Sequence, residues 1–266
     1  MRLAARAVSR IQFMPGGIAM TNTSLHPGTS EQCPRNSAEE TSLAFQLIAR
    51  FAILFSCAAC ILLVPAGTFR FWQGWAVLAA YFVPAVATFV YFYRHDPALV
   101  RRRIHGDESV KTQKVLIGFM KPFFIVVFLL PGFDFRWGWS RALGVSVPLW
   151  LEPVALATVV AGFAGVGFVL NTNRYAARTI RVEKGQTVIS TGPYRWVRHP
   201  MYSASLVLWL ATPIALGSWV ALPAFALLIP LYVARLLNEE KVLRKELPGY
   251  VEYCQRTRYR LLPGVW

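Results

Sequence analysis

An all-α, polytopic membrane bundle is the fold class this sequence predicts, and three observations predict it. Apolar runs of membrane-spanning length recur along the chain, charge is scarce for its size, and that charge is sorted by loop. Hydrophobic residues make up 55% and charged residues 15% of the 266, with a mean hydropathy of +0.42. Soluble domains of this length carry more charge and fewer long apolar stretches.

A hydrocarbon core ~30 Å thick needs ~20 apolar residues in a helix. Four runs meet or approach that length: Leu43–Pro65, Phe71–Tyr93, Val115–Pro131 and Pro148–Leu170. Two tighter runs follow, Tyr202–Leu216 and Trp219–Leu237, parted only by Gly217-Ser218. So short a turn leaves room for nothing but a helical hairpin. About six membrane-embedded helices result, the last two forming that C-terminal hairpin.

The net charge of +15 would suit a nucleic-acid partner, but its distribution points elsewhere. Of the 28 Lys and Arg, 23 fall before the first run, between Arg94 and Lys114, between Arg174 and Arg198, or from Arg235 to Arg260. The opposite loops hold Arg70, Arg136 and Arg141. This is the positive-inside pattern, and it predicts cytoplasmic termini and attraction to anionic lipid headgroups, with no nucleic acid involved. Arg50 and Lys121 interrupt apolar runs within about two turns of a helix end, where long basic side chains snorkel to the headgroups.

The first forty residues differ in kind. They are rich in Ser, Thr, Pro, Gly and Asn, lack an acid before Glu31 and show no periodicity, so they read as disordered. The expected organisation is a disordered segment 1–40, transmembrane helices over 41–170, and a functional region over 171–266. Cys57 and Cys60 fall inside a predicted span and read as small apolar residues packing one helix face rather than a redox pair. The four histidines have no metal-ligand spacing, and no P-loop, nucleophile elbow or dinucleotide fingerprint appears. No metal is expected.

Chemistry concentrates in the last region. The stretch "TGPYRWVRHPMYSASL" (Thr191–Leu206) opens on a Gly192-Pro193 break, and Pro200 restricts His199 to extended or turn geometry. An interfacial belt explains Trp196 and the arginines. It explains His199-Pro200 followed by Tyr202 less well. After the hairpin, Arg235 and Glu239 stand i, i+4 on one helix face, where a routine salt bridge is the plain expectation. The hairpin, however, must bring the start of its first helix and the end of its second to the same membrane side. His199 and Tyr202 therefore converge on Arg235 and Glu239, and such a convergence reads as a site.

The pattern G-P-Y-R-x-x-R-H-P-x-Y, an apolar hairpin, R-x-x-x-E-E and a terminal Y-x-x-Y resembles the isoprenylcysteine carboxyl methyltransferase family, with phospholipid N-methyltransferases sharing the R-H-P-x-Y and Glu-Glu elements. The resemblance covers about 186–266, and upstream "FWQGW", "DPALVRRR" and "FDFRWGWS" look like segments of the family's bacterial branch. It implies an integral membrane enzyme using S-adenosylmethionine. It also implies cofactor contacts from Gln186, Thr187, Val188, Ile189, Tyr194, His199, Pro200, Met201, Tyr202 and Glu239. Arg235 matches the substrate-contacting arginine. One departure is Ala204, where the family often has Gly; the added methyl is expected to crowd a close helix approach.

The implied chemistry needs no metal. In-line displacement at a sulfonium methyl needs mainly an acceptor held at near-attack distance. A carboxylate acceptor is already ionised at neutral pH, and an arginine such as Arg235 could orient it. The resemblance leaves the acceptor open between a prenylated cysteine, a free isoprenoid acid and a lipid amine. Competing functions are an NADPH-dependent sterol-type reductase of related fold and a non-enzymatic lipid-binding protein. A bacterial inner membrane is the expected location.

Overall fold

The computed structural model describes residues 37–97, 99–100, 111–173, 175, 182 and 185–266. Of the segment 1–40, Ser37–Glu40 alone lie within this range, and they open the first helix; the rest of the disorder expectation falls outside it. The chain divides into two units, 1–47 and 48–266. The first contributes the opening turns of α1, and the second holds the rest of that helix and every later element.

Every regular element among the described residues is helical. The helices are α1 (Ser37–Ala66), α2 (Trp72–His95), α3 (Lys111–Trp137), α4 (Trp139–Ala142) and α5 (Leu151–Thr172). A 3-10 turn (Gly192–Arg195) precedes α6 (Pro200–Ala215), α7 (Leu222–Ala226), α8 (Leu228–Glu246) and α9 (Tyr250–Arg256). Five segments are long and apolar enough to cross a membrane: Phe45–Ala66, Trp72–His95, Lys114–Trp137, Leu151–Thr172 and Leu222–Glu246. Only 17–28% of the apolar window in each is buried inside the protein. Side chains such as Ile53, Val83, Phe119, Ile125 and Phe168 point outward. Helices this apolar on their outer faces are solvated by lipid, and the chain is an integral membrane protein.

The sixth expected element is α6, an apolar helix of 16 residues. At 1.5 Å per residue it spans about 24 Å, somewhat less than the hydrocarbon core. Two boundaries differ from the sequence expectation. The run Trp219–Leu237 is not one helix: α7 ends at Ala226, and α8 continues nine residues beyond Leu237 to Glu246. Helix α3 runs through Pro122 and Pro131 to Trp137, because in lipid the backbone gains nothing by unravelling at a proline. Cys57 and Cys60 are exposed, so they face outward instead of packing against neighbouring helices.

Packing of α5 on α6 is the most extensive helix contact, and small residues make it close. A Cβ on Gly162 would stand 2.6 Å from Leu208 Cβ, and one on Gly165 would stand 3.2 Å from Ala204 Cβ. The crowding expected at Ala204 is therefore relieved by a glycine on the opposite helix. Such small-residue seams let membrane helices approach where no hydrophobic drive pulls them together. A second layer forms where Val127 of α3 meets Ala221, Phe225 and Leu228.

The hairpin turn is pinned at the end remote from the site. Gly217 has φ +73°, a backbone conformation that favours glycine, and it packs close to the Glu152 carboxylate. Beside it, buried Asp134 accepts from the Ser140 amide at 2.7 Å and from the hydroxyls of Ser140 and Ser218. The end of α3, α4 and the hairpin turn are thereby tied to one carboxylate. With that end fixed, α6 and α8 run back together and deliver their polar residues to one place.

Candidate active site

Pro200 occupies the first turn of α6, where its missing N–H costs nothing. His199 precedes it with φ −127° and ψ 62°, outside the helical region that a following proline disfavours. The tail beyond α9 straps this entry: the Arg198 and His199 amides donate to the carbonyls of Tyr259 and Arg260 at 2.9 and 3.0 Å. One turn on, the Ser203 hydroxyl donates to the Leu261 carbonyl at 2.7 Å.

Two carboxylates divide the polar centre. Glu239 Oε2 accepts from the Tyr202 hydroxyl at 2.6 Å, and that hydroxyl accepts from Arg235 Nε at 3.1 Å. The expected direct Arg235–Glu239 salt bridge is thus replaced by a relay through Tyr202. Its ring is held edge-on by His199 and Tyr232, with centroids 5.7 and 5.6 Å away. The Tyr232 hydroxyl in turn accepts from Trp209 Nε1 at 2.8 Å.

Glu240, only 3% exposed, serves a different set. Arg198 Nη1 approaches its Oε1 at 2.8 Å, Arg260 Nε its Oε2 at 3.1 Å, and His199 Nε2 its Oε1 at 3.3 Å. Arg198 Nη2 also donates to the Arg258 carbonyl at 2.9 Å, and the Arg260 guanidinium lies 4.9 Å over the Trp266 ring. A carboxylate so deeply buried is tolerable only with such a set of donors. His199 is itself 4% exposed; its Nε2 is engaged in the clamp, and its ring stands at 80° to that of Tyr202.

The remaining expected residues gather on the tail side. The Tyr194 hydroxyl accepts from Asn173 Nδ2 at 2.9 Å, and its carbonyl accepts from the Tyr253 hydroxyl at 2.7 Å. Burial, partly offset by the Asn173 bond, pushes the Tyr194 phenol up to about 12, so it stays a neutral hydroxyl. Val188 packs with Tyr194 against Leu247, Tyr250 and Tyr253. This sets the stretch from Gln186 to Ile189 beside α9; Thr187 is exposed, and the other three are half-buried. Met201 packs on Phe92, Leu99, Val100 and Leu170.

Sequence reasoning singled out Tyr202, Arg235 and Glu239, and the structure brings them into one relay. It missed Glu240, Arg260 and Asn173. The adjacent acids were a visible signal for Glu240, but nothing in the sequence says which of the two turns inward.

Fold and site together define a class: a polytopic helical membrane protein with a tyrosine-bridged Arg–Glu pair at the open end of an apolar hairpin. Residues 154–248 match the family model described as phospholipid methyltransferase. The chain is 32% identical over 138 residues to the cobalt-zinc-cadmium resistance protein CzcN of Cupriavidus metallidurans, covering 50% of this chain and 58% of that protein. It is 33% identical over 94 residues to the mouse (Mus musculus) Delta(14)-sterol reductase TM7SF2, covering 33% and 22%. It is 24% identical over 178 residues to protein-S-isoprenylcysteine O-methyltransferase B of Arabidopsis thaliana, covering 63% and 86%. Through this region the chain is similar to isoprenylcysteine carboxyl and phospholipid methyltransferases, and the resemblance read in its motifs is borne out. It spans little more than half the length of the first of these relatives and about a fifth of the second.

Proposed function

We propose that this protein is a membrane methyltransferase that uses S-adenosylmethionine to methylate a lipophilic acceptor bearing a carboxylate. The observation that carries the reading is the Arg235–Tyr202–Glu239 relay at the mouth of an apolar hairpin. The residues present fit that cofactor. Glu239 spends Oε2 on Tyr202 and keeps Oε1 as an acceptor among the described residues, suited to an ammonium or ribose hydroxyls. Tyr194 and Tyr202 offer aromatic faces for an adenine. The cationic sulfonium is compatible with a carboxylate nearby, whereas the phosphates of NADPH are not.

The bound cofactor would supply a methyl group on sulfonium, transferred to an ionised carboxylate oxygen as the carbon–sulfur bond breaks, with no proton to remove. The protein's part is positioning. Arg235, one turn closer to the bilayer than Glu239, orients the acceptor carboxylate, and Tyr202 fixes the Arg235 fork by accepting from its Nε. The hairpin's outer face admits a lipophilic chain from the membrane. Positive charge on the loops supports a cytoplasmic location for the site and both termini, in keeping with a bacterial inner membrane. The name of the Arabidopsis relative supports O-methylation of a prenylated cysteine as the reaction type, and the family model supports a lipid amine as second acceptor.

The test is methyl transfer from labelled S-adenosylmethionine to S-alkylated N-acetylcysteine in membranes carrying the protein. Label extracted as a base-labile ester is the expected result. Label in phospholipid headgroups favours the amine reading, and no label in either rejects both.

A further inference from the structure

Asn173 closes α5, its amide donating back to the Val169 carbonyl, and its side chain is engaged at both ends. Oδ1 accepts from the Tyr175 amide at 2.9 Å, and Nδ2 donates to the Tyr194 hydroxyl at 2.9 Å. The first bond decides the second. A backbone N–H can only donate, so turning the Asn173 amide round would set two donors face to face. Tyr194 therefore meets an NH2 group, its oxygen accepts on that side, and its O–H hydrogen is turned away from Asn173. The backbone of Tyr194 is fixed as well, since its carbonyl accepts from the Tyr253 hydroxyl at 2.7 Å. Burial acts most on this phenol, but the Glu239 charge also reaches it. A committed donor and a carboxylate thus stand close together.

On the methyltransferase reading above, we propose that Asn173 is a positioning residue: it commits the Tyr194 hydroxyl to donating to the carboxylate of the cofactor's amino-acid end. That end carries one cation and one anion close together. Glu239 supplies an acceptor for the cation, and a neighbouring group that donates completes the match. A second acceptor in its place would repel the anion. Ring face and hydroxyl are different surfaces of Tyr194, so the adenine contact assigned to the face is not displaced. Asn173 itself acts only through Tyr194. The plain alternative is a turn: Asn173 Oδ1 with the Tyr175 amide is an ordinary Asx turn, and Tyr194 is merely latched to it.

Asn173→Asp separates the two. One carboxylate oxygen keeps the Tyr175 bond, so the turn survives, but the other is an acceptor and draws the Tyr194 hydrogen back onto itself. The probes are S-adenosylhomocysteine and its descarboxy analogue S-adenosyl-3-thiopropylamine, which keeps the ammonium and lacks the carboxylate. Both are titrated calorimetrically into the full-length protein in detergent. Asn173→Asp should weaken S-adenosylhomocysteine about tenfold, the lower end for a hydrogen bond to a charged group, and bind the amine no more weakly than the wild type. Tyr194→Phe should show the same selective loss. Asn173→Leu, which adds no charge, should cost S-adenosylhomocysteine a smaller factor, and nothing further in the Tyr194→Phe background. That cycle also decides the matter should Asn173→Asp fold poorly, an additive loss counting against the proposal. Wild-type affinity of Asn173→Asp for both ligands would make Asn173 a turn residue only and overturn the inference, as would an equal loss for both. Failure of the wild type to bind S-adenosylhomocysteine would instead remove the reading on which it rests.

Discussion

The Tyr202 hydroxyl joins Arg235 to Glu239, accepting at 3.1 Å from the guanidinium and donating at 2.6 Å to the carboxylate. One oxygen thereby sets the relation between the residue assigned to the acceptor and the residue assigned to the cofactor. Tyr202→Phe keeps the ring and its edge contacts with His199 and Tyr232 but removes that oxygen. Hydrogen bonds to charged groups are worth ~1.5–3 kcal/mol, so kcat/KM should fall about 10- to 100-fold. Thermal stability in detergent should change by less than ~1.5 kcal/mol. A variant with wild-type kinetics would show that the relay does not serve transfer.

Arg235 and Glu239 should separate in their effects. Arg235→Ala is expected to keep near-normal affinity for S-adenosylhomocysteine and to lose transfer, while Glu239→Gln weakens cofactor affinity. Each loss should lie near ~2–5 kcal/mol, the usual cost of truncating one partner of a desolvated charge pair. If the two residues formed only a surface ion pair, either change would cost under ~1 kcal/mol and act on stability alone. Titration and turnover of both variants in one preparation decide between these outcomes.

Glu240 is assigned to architecture. Its removal leaves Arg198 and Arg260 facing a neutral group at a buried position, so Glu240→Gln should destabilise the fold by ~3–5 kcal/mol. The strap over His199 should loosen with it, and amide exchange at Arg198 and His199 should quicken. An unchanged melting temperature would contradict this assignment.

At the opposite end, Asp134→Ala should cost ~2–3 kcal/mol in stability, because the buried hydroxyls of Ser140 and Ser218 lose their acceptor. In a preparation that remains folded, cofactor affinity should match the wild type, since the network touches no site residue. A selective loss of affinity would mean that the far end controls more than the hairpin's register.

The hairpin and the meeting of its two polar ends were legible in the sequence, because Gly217-Ser218 allows only a tight return and helix geometry does the rest. Which acid does what was not. Glu239 and Glu240 point about 100° apart on α8, and only the tertiary partners distinguish the one facing Tyr202 from the one clamped by Arg198 and Arg260. The Asp134 network was equally hidden, since its partners stand 6 and 84 residues away in sequence. Ala204 could be read as a departure, but its remedy lies at Gly165 on another helix, where a single sequence carries no sign of pairing. The expected run already crossed Pro122, and what was missed is the continuation of α3 beyond Pro131 to Trp137, since a proline breaks a helix less in lipid than in water.

The most direct measurement is calorimetric titration of the purified protein with S-adenosylmethionine and, separately, with NADPH. The relay and the Glu239 Oε1, which no described residue occupies, predict saturable binding of the sulfonium cofactor and none of the polyanion. Saturable NADPH binding with no heat from S-adenosylmethionine would contradict the account and assign the site to a reductase.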